Sequence, residues 1–235
     1  MEDFYTSDRF LVEGEPGELV PDSARRIPVP RSAEATVWNR WTLAWLREDW
    51  SRQGQTHRAG SLLAFDTEEL FTSPDVAPST TLFEPTAHEV LEDLTLTRDL
   101  VVLTTIRDVV SHLTVLVPPS SGAAEGGGAW KTVGLDVPGG TDGGARRIAT
   151  AVVSPVDKQK SNDLWIVTTG YTEPSELWLV HPSLDEDESG RSSATSVRQA
   201  PDLYDSSNVT VTQHFAVSKD GTRVPYFEVS SEGAS

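Results

Sequence analysis

The sequence predicts an all-β fold, a partial and incomplete β-propeller of about three to four antiparallel blades. Its 235 residues contain many short apolar runs bounded by turn residues and scarcely any helical periodicity, which is typical of antiparallel β structure. A long apolar strand recurs with centres at Leu43, Val101 and Ile166, 58 and 65 residues apart. That spacing exceeds the ~40 to 50 residues of compact blades, and we attribute the excess to glycine-rich and proline-rich insertions. A stack of blades explains the repeat better than a β-sandwich, which stays open as an alternative.

The first unit is predicted to contain two strands and a short helix. Residues 41–46 alternate so that two tryptophans share one face of a strand, which predicts aromatic core packing. Residues 60–65 form the returning strand. Asp66, with Glu69 three positions later, is predicted to cap a helix over residues 66–71. That helix must end before Pro74, because the residue preceding a proline disfavours helical geometry.

The second and third units repeat the pattern of strand, turn and strand. In the second unit the strands are expected over residues 94–106 and 113–117. Residues 120–129 are rich in glycine and serine and cannot bury apolar area, so they predict a flexible surface connection. The third unit is expected to have its strands within residues 146–153, 164–169 and 177–180.

The chain ends with a strong hairpin signal within residues 209–229. Two β-rich runs flank Lys219-Asp220-Gly221-Thr222, and an Asp-Gly pair between alternating apolar residues favours a tight turn, because glycine adopts positive φ without steric cost. Pro225 lies in the second run. Since proline cannot donate a hydrogen bond to a neighbouring strand, this run is expected to be an edge strand there.

Charge and composition exclude several classes of function. The chain has 19 basic and 36 acidic residues, a net charge of −17, so binding to nucleic acid or to anionic lipid is opposed by repulsion. It has no cysteine, which excludes disulfides, thiolate metal sites and a cysteine nucleophile. The acidic N-terminus lacks the features of a signal peptide, and no apolar run approaches the ~18 residues of a membrane span. We therefore expect a cytoplasmic protein that binds neither nucleic acid nor membrane.

The sequence predicts no catalytic, cofactor-binding or metal-binding residue, and no cofactor. It contains no Gly-x-Ser-x-Gly elbow for a serine nucleophile, so no catalytic triad can be named. Residues 185–188 are acidic but lack the ligand spacing of a calcium loop, and the glycine-rich segment at 139–144 does not repeat. The five histidines do not form a His-x-x-x-His pair, which argues against a metal site on a helix; they are His57, His88, His112, His181 and His214.

Tryptophans offer one further candidate, a platform on which a sugar or a peptide stacks. Strand alternation instead predicts that most of them lie in cores or between blades. The tryptophans concerned are Trp41, Trp45, Trp165 and Trp178.

Five segments and the terminal hairpin together carry a family resemblance. The segments are LREDW (46–50), AGSLLAFD (59–66), LFEPT (82–86), TRDLVVLTTIRDVVSHLTVL (97–116) and YTEPSELWLV (171–180). In this order they resemble the later propeller blades of prolyl oligopeptidase-type serine peptidases. The hairpin resembles the segment through which the propeller of that family returns the chain to its α/β-hydrolase domain. Each motif alone is only apolar strand and turn chemistry, but the resemblance covers nearly the whole chain.

The resemblance implies a division of the chain and a missing part. Residues 1–205 correspond to a partial β-propeller, and residues 206–235 to the first hairpin of a truncated α/β-hydrolase catalytic domain. A complete enzyme of this kind would have further blades before Met1. After the hairpin it would have a hydrolase domain carrying Gly-x-Ser-x-Gly, then Asp and His.

The resemblance also implies a function, and one alternative stays open. The family's serine endopeptidases hydrolyse short peptides after proline, and the propeller gates access of the substrate. On this hypothesis the present chain shapes access and is inactive alone. The alternative is a stand-alone propeller-like module that binds a peptide or protein without catalysis. Because three or four blades do not close a ring, we also expect self-association through open blade edges.

Overall fold

The structure is a computed structural model that describes residues 6–12, 23–119, 128–139, 141–142, 145–146, 149–183 and 192–231. The chain divides into two compact units, Met1–Leu91 and Glu92–Ser235. Strands dominate both units and pair antiparallel. The predicted all-β fold class is therefore confirmed.

The first unit is built on one four-stranded antiparallel sheet, here called the first sheet. In chain order the unit contains β1 (Phe10–Leu11), β2 (Arg25–Arg26), β3 (Glu34–Trp38), β4 (Trp41–Trp45), β5 (Trp50–Arg52), β6 (Gln55–His57), β7 (Leu62–Asp66), α1 (Thr67–Thr72) and β8 (Thr80–Phe83). The order of strands in the first sheet is β3-β4-β7-β8, while β1 pairs with β2 and β5 pairs with β6.

The predicted helix forms with the predicted cap. The Asp66 carboxylate accepts a hydrogen bond from the backbone N–H of Glu69 at 3.2 Å, which satisfies one of the free amides of the first turn. Arg40 donates to the same carboxylate at 2.5 Å. The helix ends at Thr72, before Pro74. It buries Leu70 in a core with Leu63 and other apolar residues of the first unit.

The hairpin of β5 and β6 was not predicted from the sequence. It turns through Gln53 and Gly54, both with positive φ (50° and 76°), as a tight two-residue hairpin requires. Arg52 then lies over the rings of Trp50 and Phe65, 5.0 and 4.8 Å from their centroids. The spacing from Leu43 to Val101 is longer than in a compact blade partly because it contains this hairpin and α1. Glycine-rich and proline-rich insertions therefore do not account for all of it.

The second unit contains two four-stranded antiparallel sheets, here called the second and third sheets, and two hairpins. Its strands are β9 (Glu89–Leu96), β10 (Val101–Arg107), β11 (Val110–Val117), β12 (Lys131–Leu135), β13 (Thr141–Asp142), β14 (Ala145–Arg146), β15 (Ala149–Pro155), β16 (Leu164–Gly170), β17 (Glu176–His181), β18 (Ser193–Gln199), β19 (Val209–Val217) and β20 (Arg223–Ser231). The second sheet has the order β9-β10-β11-β12 and the third β15-β16-β17-β18, while β13 pairs with β14 and β19 with β20.

The three predicted strand centres fall at equivalent positions in the three four-stranded sheets, whereas the strand expected over residues 94–106 is divided between β9 and β10 by a turn. Leu43, Val101 and Ile166 lie in β4, β10 and β16, each of which is the second strand of a four-stranded sheet. Each sheet is a meander: its four strands lie side by side in the order in which they occur along the chain. This is the architecture of propeller blades, and the described residues form three of them.

One apolar core joins the second and third sheets. Alternate side chains in the middle of β15 and the first part of β16 are buried, namely Ala151 and Val153 at 4% and Leu164 and Ile166 at 0% exposure. They pack against Val102 and Val115 of the second sheet. Two buried polar contacts reinforce the packing: the Thr95 hydroxyl donates to the carbonyl of Val153 at 3.2 Å, and the backbone N–H of Ala151 donates to the Ser111 hydroxyl at 3.2 Å. The two sheets therefore pack face to face.

A side-chain amide connects the first turns of these two sheets. Asn162, which precedes β16, accepts hydrogen bonds at Oδ1 from the Thr97 hydroxyl (2.9 Å) and from the Asp99 backbone N–H (2.8 Å). Its Nδ2 donates to the Asp99 carboxylate at 3.1 Å. Thr97 is fully buried, so these contacts hold the β9–β10 turn against the segment that leads into β16. We call this arrangement the Asn162 clasp.

Candidate functional site

The terminal hairpin of β19 and β20 is the candidate functional element. The two strands pair in continuous register from Val209 opposite Ser231 to Val217 opposite Arg223. Gly221 in the connecting turn has φ +86°, so the hairpin and its glycine are as predicted. Pro225 lies opposite Phe215 in a strand that, within the described part of the chain, pairs with β19 alone. It is therefore on an edge strand, as expected.

Asp220 organises the turn of this hairpin. Its carboxylate accepts from the backbone N–H of Thr222 at 3.0 Å and from the Ser218 hydroxyl. These hydrogen bonds, that of Ser218 first, lower the pKa of Asp220 from 3.8 to about 2. Because the folded-state pKa lies below the ordinary value, the carboxylate supports the turn at neutral pH. That support is lost only as the pH falls from about 4 towards 2.

One face of the hairpin contacts the second and third sheets. Gln213 donates from Nε2 to the carbonyl of Asp108 at 2.6 Å, in the turn between β10 and β11. The ring of Phe227, opposite Gln213 in the hairpin, lies 5.3 Å from that of Tyr171 in the turn between β16 and β17. The hairpin thus contacts one turn of the second sheet and one turn of the third.

The turn that Gln213 contacts has an unusual backbone. Asp108 and Val109 have φ of 49° and 70°, as a two-residue hairpin turn requires. Positive φ is costly for the β-branched Val109, and residues in this conformation persist only where their surroundings hold them. The hydrogen bond from Gln213 to the Asp108 carbonyl is such a contact.

The segment between the third sheet and the hairpin is also fixed. The Tyr204 hydroxyl donates to the carbonyl of Tyr171 at 2.9 Å, and the Ser206 hydroxyl donates to the carbonyl of Thr172 at 2.8 Å. Both contacts lie on the turn between β16 and β17, which also receives Phe227. The chain is therefore led over this turn before it enters the hairpin.

The opposite face of the hairpin carries a histidine and a carboxylate. The rings of His214 and Tyr226 stack with centroids 5.3 Å apart and an interplanar angle of 26°. Nε2 of His214 lies 2.9 Å from Glu228 Oε2. A second pair, His181 and Asp163, has a separation of 2.7 Å. A histidine beside a carboxylate is two parts of a triad, but the sequence has no serine elbow to complete it.

The structure separates the remaining candidate residues. His57 is buried, and burial lowers its pKa, while His112 and His214 are half-buried on their strands. Among the described residues no three side chains of the metal-binding types converge. Within the same part of the chain no helix has the length and apolarity that crossing a membrane requires. Residues 120–127, the acidic run 185–188 and positions 140 and 143–144 lie outside the described residues.

The tryptophans lie mostly within packed structure. Trp178 packs against the core of the second unit and donates from Nε1 to the Thr168 hydroxyl at 3.1 Å. Trp41, Trp45 and Trp165 are half-buried on their strands. They do not lie together on one open surface of a single sheet, because β4 and β16 belong to different sheets.

The contacts that hold the terminal hairpin against the second and third sheets were not predicted from the sequence. Gln213 falls on the same face as Val211 and Phe215 in an alternating strand, so its position predicts an inward-facing amide. That pattern was a usable signal, because an inward polar side chain needs a partner. Its partner, the carbonyl of Asp108, is 105 residues away in sequence, and local patterns do not indicate pairs at that distance.

Comparison with known proteins gives a consistent set of similarities, although no family model matches the chain. An uncharacterized peptidase of Sinorhizobium fredii is 26% identical over 213 residues, which are 89% of this chain and 26% of that protein. An uncharacterized peptidase of Rickettsia prowazekii is 26% identical over 235 residues, 98% of this chain and 29% of that protein. The chain therefore spans between a quarter and a third of the length of the curated relatives it matches.

Solved structures share the fold along the whole chain. A post-proline cleaving enzyme from Rickettsia typhi superposes with a TM-score of 0.73 and 24% identity, covering 99% of this chain and 30% of that one. Prolyl oligopeptidase B from Galerina marginata superposes with a TM-score of 0.61 and 14% identity, covering 100% of this chain and 29% of that one. The likeness includes the three sheets and the terminal hairpin.

Proposed function

We propose that this chain belongs to the prolyl oligopeptidase family of peptidases and forms the later blades of a propeller that controls access of substrate to a serine-type catalytic domain. The substrate class is short peptides cleaved after proline. The hairpin of β19 and β20 is the first hairpin of that domain, and the catalytic Ser, Asp and His are supplied from outside these 235 residues. The complete enzyme is proposed to be cytoplasmic.

One observation carries this proposal. A similar solved structure, that of a post-proline cleaving enzyme, covers nearly the whole chain, from the first sheet through the terminal hairpin. The family resemblance implies that the last blade is followed by a hairpin, and the hairpin of β19 and β20 follows the third sheet in this chain. The contacts of Gln213 and Phe227 support the same arrangement, because they fix the hairpin on the second and third sheets.

The proposed gating role follows from the geometry of blades. A propeller arranges four-stranded sheets around a central channel, so one edge strand of each blade faces that channel. In the second sheet the edge strand β9 carries the exposed side chains of Val90, Glu92 and Asp93. On this proposal β9 faces the channel, and the channel admits an extended peptide and excludes a folded protein.

The chain alone is expected to be catalytically inactive. A purified sample should hydrolyse a fluorogenic peptide with proline before the scissile bond no faster than buffer, because the chain has no nucleophile elbow. A serine-reactive fluorophosphonate probe should likewise fail to label it. A known prolyl oligopeptidase assayed in parallel is the positive control. Turnover that the probe abolishes, with a labelled serine in this chain, would show that the chain carries its own catalytic site.

A further inference from the structure

The turn between β10 and β11 places a valine where its backbone favours glycine. The register of the two strands leaves Asp108 and Val109 as a two-residue loop, with φ of 49° and 70°. The loop between β5 and β6 has nearly the same backbone, with φ of 50° and 76°, and there the second residue is Gly54. Tight hairpin loops of this kind favour glycine at the second position, since a branched side chain at positive φ is sterically strained.

Burial of the valine within this chain offsets the strain only in part. The Val109 side chain is 49% exposed, so much of its apolar surface faces solvent. Glycine would keep the hydrogen bonds between β10 and β11 and would remove the strain. Residues in strained conformations cluster at functional sites, where further contacts hold them. The exposed part of Val109 is therefore expected to have a contact that the described residues do not supply.

The same loop already contacts the terminal hairpin. Gln213 of β19 donates from Nε2 to the carbonyl of Asp108 at 2.6 Å, and Val109 is the next residue. Within the described part of the chain, the strands of this hairpin pair only with each other, and a two-stranded hairpin alone is marginally stable. Val224 and Tyr226 of β20 are still 45% and 49% exposed. The remainder of the proposed catalytic domain therefore has to pack around the hairpin, next to this loop.

The position of Val109 in its sheet favours that domain over a further blade as the partner. Neighbouring blades pack face to face, as the second and third sheets do through Val102 and Ile166. Val109 instead lies at the end of the second sheet, in a turn between strands, and the hairpin contacts the same turn. A further blade would cover a face of a sheet, whereas the domain that continues from the hairpin lies over this end.

We infer that Val109 is an apolar contact for the catalytic domain that follows the terminal hairpin, and that the β10–β11 turn positions this domain on the second sheet. The inference rests on the proposed function, because that domain lies outside these 235 residues. The valine side chain has no charge and no hydrogen-bonding group, so the surface that meets it is apolar. The contact continues the one that Gln213 makes, with a polar part at the Asp108 carbonyl and an apolar part at Val109.

Chemical labelling at position 109 tests the contact, in the isolated chain and in the product of the complete gene. Val109→Cys gives the isolated chain a single thiol, because the chain has no cysteine. Mass spectrometry of the peptide that contains this position follows its reaction with a maleimide. The reaction should be roughly tenfold slower, or more, in the complete enzyme, where the domain covers the thiol.

Gln159→Cys is the matched control for labelling. Gln159 is exposed and lies in the connection between β15 and β16, at the opposite end of the third sheet from the turn that contacts Phe227. Its thiol should react equally fast in the isolated chain and in the complete enzyme.

Two further substitutions separate the apolar contact from the strain. Val109→Thr keeps the branched shape and the strain but adds a hydroxyl. It should leave the urea midpoint of the isolated chain unchanged and lower the temperature at which the complete enzyme loses activity, because a hydroxyl buried without a partner is costly. Val109→Gly should raise the urea midpoint of the isolated chain by relieving the strain. It should still lower the inactivation temperature of the complete enzyme, because the contact is lost.

The results distinguish failure of the inference from failure of the proposed function. An active complete enzyme in which the thiol of Val109→Cys reacts as fast as in the isolated chain would overturn the inference and leave the proposed function intact. So would a Val109→Thr enzyme that resists heat as well as the wild type. A complete wild-type protein that does not hydrolyse a peptide after proline would overturn the proposed function, and the inference with it.

Discussion

Ile166→Ala is expected to lower the free energy of unfolding by about 2 to 5 kcal/mol, the range for large-to-small changes in a packed core. Ile166 is 0% exposed and lies between the second and third sheets. Removing three carbons there leaves a cavity that a four-stranded sheet cannot close without moving its strands. Urea denaturation followed by tryptophan fluorescence, at a protein concentration that keeps the chain monomeric, measures the loss.

The neighbouring residue on the same strand is the matched control. Val167 points away from the second sheet and is 37% exposed, so Val167→Ala should cost less than about 1 kcal/mol. The contrast between the two positions depends on sheets that pack face to face as blades do. Equal losses at both positions, or a larger loss at Val167, would contradict that packing.

Asn162→Ala is expected to cost about 1 to 2 kcal/mol, because it removes three hydrogen bonds between the β9–β10 turn and the segment before β16. The Thr97 hydroxyl and the Asp99 N–H both donate to Asn162 Oδ1, and Thr97 is fully buried. The loss should appear in urea denaturation. Hydrogen exchange should also show faster opening of the turn between β9 and β10.

Gln159→Ala provides the control for the Asn162 clasp. Gln159 is exposed in the same segment, and its replacement should change stability by less than about 0.5 kcal/mol. If Asn162→Ala also changes the free energy of unfolding by less than about 0.5 kcal/mol, the hydrogen bonds of Asn162 do not stabilise the packing of the two sheets. The clasp would then be a geometric coincidence of two turns.

Local patterns were enough to predict much of the fold. The cap at Asp66, the positive φ at Gly221 and the edge position of Pro225 each depend on residues within a few positions. The period from Leu43 to Val101 and Ile166 located the second strand of each four-stranded sheet, because that strand has a neighbour on both sides and carries buried apolar side chains. These predictions required no knowledge of distant contacts.

Other parts of the structure could not be predicted from local patterns. The hairpin of β5 and β6 contains polar residues such as Gln53 and Gln55, so it lacks the apolar alternation by which strands are found. The Asn162 clasp and the bond from Gln213 to Asp108 join residues more than 60 positions apart. Such pairs depend on how whole sheets pack, which single-sequence patterns do not specify.

The sequence of the gene beyond the codon for Ser235 tests the central claim most directly. The proposal holds that these blades and the hairpin lead into a serine-type catalytic domain. We predict an open reading frame that continues past this codon and encodes a Gly-x-Ser-x-Gly elbow on the order of a hundred residues later, followed by Asp and His. A stop codon directly after Ser235 in an intact gene, or a continuing frame without that elbow, would contradict the proposal.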